Sequence, residues 1–96
     1  MEREKIVSEA LGIIRRYLPD KELKVFLFGS WAKGSAEPTS DIDIAILGAQ
    51  PIDEMLLLRL REEISGIPTL RRIDVVDLNN TDERFREEVL SYARPL

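Results

Sequence analysis

Apolar residues recur at three- and four-residue intervals near the start of the chain. Ile6, Ala10, Ile13, Ile14 and Tyr17, joined by Val7, Leu11 and Leu18, predict an amphipathic helix over residues 2–18, stopped by Pro19 and Asp20. Residues 24–28 carry Val25, Leu27 and Phe28 and end at Gly29, the mark of a short buried strand running into a tight turn. Residues 31–40 are rich in Gly, Ser, Pro and Thr and predict a loop with room for one helical turn at its start. Residues 41–47 alternate, which predicts a second strand with Ile42, Ile44 and Ile46 on one face and Asp41, Asp43, Ala45 and Leu47 on the other. Met55, Leu56, Leu60 and Ile64 fall in helical register within residues 52–65, closed near Gly66 and Pro68. Residues 72–78 predict a third strand, and Thr81 is the expected cap of a last helix bearing Phe85, Val89 and Leu90.

This order of elements predicts an α/β (α+β) fold, a three-stranded mixed sheet flanked by helices. The second and third strands, joined by a long helix, are expected to be parallel neighbours, whereas the direction of the first against the second stays open. A chain of 96 residues is the size of one domain, so any second, substrate-gripping domain is expected to be absent or supplied by another molecule.

Composition removes whole classes of chemistry. With no cysteine and no histidine, thiolate and imidazole ligands, nucleophiles and bases are excluded, which leaves carboxylates, hydroxyls, amines and backbone. A net charge of −4 disfavours a nucleic-acid partner held along its phosphate backbone. No apolar run reaches bilayer length and no secretory signal precedes the first helix, so a cytoplasmic location is expected and a membrane partner is not.

The candidate chemistry lies in residues 28–47, FGSWAKGSAEPTSDIDIAIL. A strand ending in Gly29-Ser30 lets the backbone approach a ligand and aims free amides and a hydroxyl at phosphate oxygens. Asp41 and Asp43, on one face of the next strand, offer hard oxygen ligands to magnesium, and two such close charges call for a cation. An ordinary strand-ending turn and a solvated strand start are the plainer readings of these pairs.

In the order Gly29, Ser30, Gly34, Ser40, Asp41, Asp43 and Ile44, bounded by two strands, the chain resembles the minimal nucleotidyltransferases of the DNA polymerase beta-like superfamily. The resemblance spans nearly the whole chain and implies the nucleotidyltransferase fold in a single minimal domain over residues 1–96. It also implies a third carboxylate on the third strand. Asp74 and Asp77 lie on opposite faces there. Parallel pairing brings the start of that strand nearest Asp41 and Asp43, which favours Asp74, although a surface pair with Arg71 or Arg72 would also account for its charge.

What the resemblance implies is transfer of a nucleoside monophosphate, AMP from ATP, to a hydroxyl. Asp41, Asp43 and Asp74 would be the catalytic residues and would hold two Mg2+ ions, and Gly29, Ser30, Lys33, Gly34 and Ser40 would bind the nucleotide. Many members carry arginine directly after Gly-Ser, where this chain has Trp31, so one phosphate contact is lost; packing is the expected use of the indole. Minimal members pair with helical HEPN-type partners, so the resemblance implies the antitoxin of a toxin–antitoxin pair that modifies its partner. A non-catalytic antitoxin or complex subunit acting by occlusion is the alternative. The apolar excess of Leu56–Leu60 leaves room for a homo-oligomer or another partner.

Overall fold

The computed structural model describes residues 2–34 and 41–96. Its elements run α1 (Glu2–Tyr17), β1 (Lys24–Phe28), the one-turn α2 (Ser30–Lys33), β2 (Ile42–Leu47), α3 (Glu54–Ser65), β3 (Ile73–Asp77), a 3-10 turn (Leu78–Asn80), α4 (Glu83–Tyr92) and β4 (Arg94–Pro95). Among the described residues the sheet has four strands in the order β3-β2-β1-β4. β2 and β3 are parallel, as the long intervening helix requires, while β1 and β2 are antiparallel.

The fourth strand corrects the expectation of three. Arg94 and Pro95 pair with Leu27 and Phe26, and the Leu96 N–H donates to the Val25 carbonyl at 2.8 Å. Two residues carry no alternation, and Pro95 is tolerated because an edge strand leaves one side of its backbone unpaired. Thr81 is not the cap of α4. Its hydroxyl donates backward to the Leu78 carbonyl, and Asp82 takes the cap position. α3 starts at Glu54 rather than at Ile52, behind Asp53, whose carboxylate accepts from the Leu56 N–H at 3.1 Å.

The two faces of the sheet do different work. On one, Val25, Leu27, Ile42, Ile44, Ile46 and Val75 pack against Ile6, Ala10 and Ile14 of α1 and Leu60 and Ile64 of α3. Ile42, Ile44 and Ile46 are fully buried, and each stabilises the fold by about 1.5–3 kcal/mol. On the other face Phe28 and Ala45 pack with Leu78 and Val89, with Val76 and Tyr92 at the margin. α4 covers only part of this second face, and Asp43 and Asp74 stand on the same side of the sheet beyond it.

Asp77 is structural. It is buried, and its carboxylate accepts from the Ile52 N–H (2.8 Å) and the Asn79 N–H (3.0 Å), while Asn79 in turn bonds both the N–H and the carbonyl of Gly48. This network fastens the β2–α3 connection to the end of β3. Asp77→Ala leaves two amides without their acceptor and is expected to lower stability by about 2–4 kcal/mol, read by urea unfolding. At the open edge of β3, Arg61 of α3 donates to the Val75 carbonyl from Nε (3.1 Å) and Nη2 (2.6 Å), blunting an edge that another strand could otherwise extend. The apolar excess on α3 is real: Met55 and Leu58 are exposed, whereas Leu60 is buried.

Candidate active site

Gly29 closes β1 with φ 74° and ψ −157°, a combination that only glycine adopts readily. The conformation has a spatial reason as well. A Cβ built on Gly29 would lie 2.2 Å from Oδ2 of Asp43, so the bare Cα is what admits the carboxylate. The antiparallel register sets Phe28 opposite Asp43, which brings the end of β1 to the start of β2. α2 then turns away from this junction, with the Lys33 N–H donating to the Gly29 carbonyl at 3.1 Å and Gly34 ending the turn in the left-handed conformation at φ 78°.

Parallel pairing sets Asp43 directly beside Asp74. Neighbours in a parallel pair point the same way, so the two carboxylates share one face, while Asp77 ends β3 on the other. Asp41 is exposed and immediately precedes β2, one residue later than the strand start expected, and Asp43 and Asp74 are half-buried. Burial pushes the Asp43 carboxyl above its ordinary range, the charges of Asp74 and Asp41 push it the same way, and Arg72 opposes them. Arg72 also pairs with Asp74, Nε to Oδ1, at 3.1 Å, so the surface pair weighed for Asp74 exists alongside its place next to Asp43. Among the described residues no three acidic side chains are drawn together into a ready-made metal cage. The donor set is nonetheless of the hard, anionic kind that suits magnesium, and a cation would relieve the repulsion that raises Asp43.

Gly29, Ser30, Lys33, Gly34, Asp41, Asp43 and Asp74 are therefore grouped at one end of the sheet, and Ser40 lies outside the described residues. Trp31 packs against the α1/α3 core, and the guanidinium groups of Arg3 and Arg71 rest on its ring at 4.5 and 5.1 Å. An aromatic at the first turn of α2 thus gathers two cations from elsewhere in the chain.

The sequence offered no sign of one neighbour of this site. Tyr92, the last residue of α4, accepts a hydrogen bond at its hydroxyl from the Gly29 N–H at 2.9 Å, and the Lys33 ammonium lies 4.7 Å above its ring. An aromatic at the end of an amphipathic helix reads as packing, and nothing in its spacing points to a glycine so far back along the chain.

The family model described as polymerase beta, nucleotidyltransferase matches residues 13–96. The chain belongs to this nucleotidyltransferase family. It is 38% identical over 84 residues to the MntA protein of Haemophilus influenzae, named a probable protein adenylyltransferase; the match spans 85% of this chain and 74% of that protein. Two solved structures are similar over most of this chain. A toxin–antitoxin structure with AMP-PNP superposes with a TM-score of 0.74 at 26% identity, over 92% of this chain and 69% of the other. A structure described as a minimal nucleotidyltransferase gives 0.71 at 28% identity, over 98% and 91%. Among the described residues no helix is long and apolar enough to cross a membrane.

Proposed function

We propose that this chain is a cytoplasmic protein adenylyltransferase, the antitoxin of a toxin–antitoxin pair, which transfers AMP from ATP to a hydroxyl on a HEPN-type partner with release of pyrophosphate. The observation that carries the site is the junction of three strands, where Gly29 gives up its side-chain space to Asp43 and Asp74 stands beside it. The similar adenylyltransferase and the toxin–antitoxin structure with AMP-PNP support the reaction and the kind of partner.

In this reading residues 1–96 form one minimal transferase domain. Asp41, Asp43 and Asp74 would hold two magnesium ions, which neutralise charge on the attacking and leaving oxygens when bound. Asp74, paired with Arg72 here, would be a ligand of such an ion and would help take up the proton of the acceptor hydroxyl. Ser30 and the backbone beyond Gly29, with Lys33, Gly34 and Ser40, hold the triphosphate and orient it. The open carboxylate face leaves acceptor recognition to the partner.

The test is incubation with α-labelled ATP, magnesium and the product of the neighbouring gene. Label is expected on the partner and is expected to vanish with the Asp41→Asn, Asp43→Asn double variant. Neutralisation of the partner without label, unchanged in that variant, would sink the transferase reading and leave occlusion in its place.

A further inference from the structure

We infer that Tyr92 is a positioning residue for nucleotide binding, a role that rests on the transferase reading above. Two separate contacts meet on this one side chain. Its hydroxyl accepts from the Gly29 N–H at 2.9 Å, and its ring lies 4.7 Å beneath the Lys33 ammonium. Gly29 and Lys33 are both assigned to the nucleotide, and they flank the α2 turn from its two ends.

The first contact fixes Gly29. A glycine at φ 74° has wide freedom, and its Cα must stay against the Asp43 carboxylate for the junction to keep its shape. Tyr92 is half-buried and packs beside Phe28, Ala45 and Val89, so its phenol is a firm anchor rather than a mobile surface group. The second contact places Lys33. An exposed lysine explores many rotamers, and the ring restricts it to the α4 side of the sheet, the side on which Asp43 and Asp74 stand. The last turn of α4 thereby sets the aim of the phosphate-facing turn.

Tyr92→Phe removes only the hydroxyl and keeps the ring in the α4 cluster; Tyr92→Leu removes the platform under Lys33 as well. MgATP binding by titration calorimetry is expected to weaken about three- to tenfold in Tyr92→Phe, the range of one neutral hydrogen bond, and further in Tyr92→Leu. Mn2+ binding without nucleotide, read by electron paramagnetic resonance, is expected to match the wild-type chain in both, because the carboxylates are untouched. Lys33→Met is expected to cost affinity in the wild-type background and clearly less in Tyr92→Leu, since part of what Lys33 contributes depends on the ring that places it. Wild-type MgATP affinity in Tyr92→Phe, or an equal fall in Mn2+ binding, overturns the inference, as does a Lys33→Met loss of the same size in both backgrounds. A wild-type chain that binds no MgATP overturns the transferase reading itself and this inference with it.

Discussion

Asp43→Asn is expected to move activity and stability in opposite directions. In the proposed mechanism transfer uses a charged carboxylate beside Asp74, and its removal is expected to take away several kcal/mol of transition-state stabilisation, about a thousandfold in rate. Stability behaves otherwise. The folded chain raises the Asp43 carboxyl above its ordinary range through burial and through Asp74 and Asp41, so the folded state holds this proton more tightly than the unfolded one does. That contribution favours folding in acid, below the unfolded carboxylate range, and is lost as pH rises through the raised folded value. At neutral pH the charged Asp43 therefore opposes folding when no cation is present. In EDTA, thermal unfolding of Asp43→Asn is expected a few degrees above wild type, and the gain is expected to disappear at low pH, where the wild-type group is protonated too. A Tm below wild type at neutral pH in EDTA would contradict the electrostatic account. Sites that hold like charges for chemistry commonly trade stability in this way.

Gly29→Ala is expected to be the most damaging single methyl in the chain. The backbone there adopts φ 74° and ψ −157°, which costs a residue with a Cβ about 1–3 kcal/mol. The added atom would also lie 2.2 Å from Oδ2 of Asp43, so the carboxylate or the turn must move. Either shift separates Asp43 from Asp74 or tips Gly29 off the Tyr92 hydroxyl. The expected outcome is a lowered denaturation midpoint in urea and near-complete loss of labelled AMP transfer at temperatures where the variant is still folded. Gly34→Ala is the informative contrast, because that position is left-handed at φ 78° but meets no neighbour among the described residues. It carries the backbone strain without a clash against Asp43, and it is expected to weaken stability and to lower transfer less than Gly29→Ala does, because it leaves Asp43 beside Asp74 and disturbs only the hold on the triphosphate.

The sheet and its helices were legible wherever burial imposes a period. Ile42, Ile44 and Ile46 alternate against the α1/α3 core, and Ile6, Ala10 and Ile14 repeat on the helix that covers them, so strand and helix followed from spacing alone. The parallel pairing of β2 and β3 followed from the length of the helix between them. β4 could not follow in the same way, since Arg94 and Pro95 are exposed and bury nothing that would leave a pattern. Thr81 and Asp82 are both acceptable caps by residue type; Asp82 takes the position without a side-chain cap bond, while the Thr81 hydroxyl donates to the Leu78 carbonyl. At the site, local motifs exposed Gly29, Ser30, Asp41 and Asp43, whereas Asp74 needed a topological argument about which end of β3 lies beside β2. Tyr92 escaped both, because its bond to Gly29 depends on how the last helix crosses the sheet.

The chain contains a single tryptophan, and Trp31 occupies the second position of α2, next to Ser30, with two arginine side chains resting on its ring. All indole emission from this chain therefore originates within one helical turn of Gly29. Events that rearrange that turn or lift Arg3 or Arg71 from the ring register optically without a dye. The residue that departs from the family's usual arginine thus turns this corner of the molecule into its own fluorescent gauge.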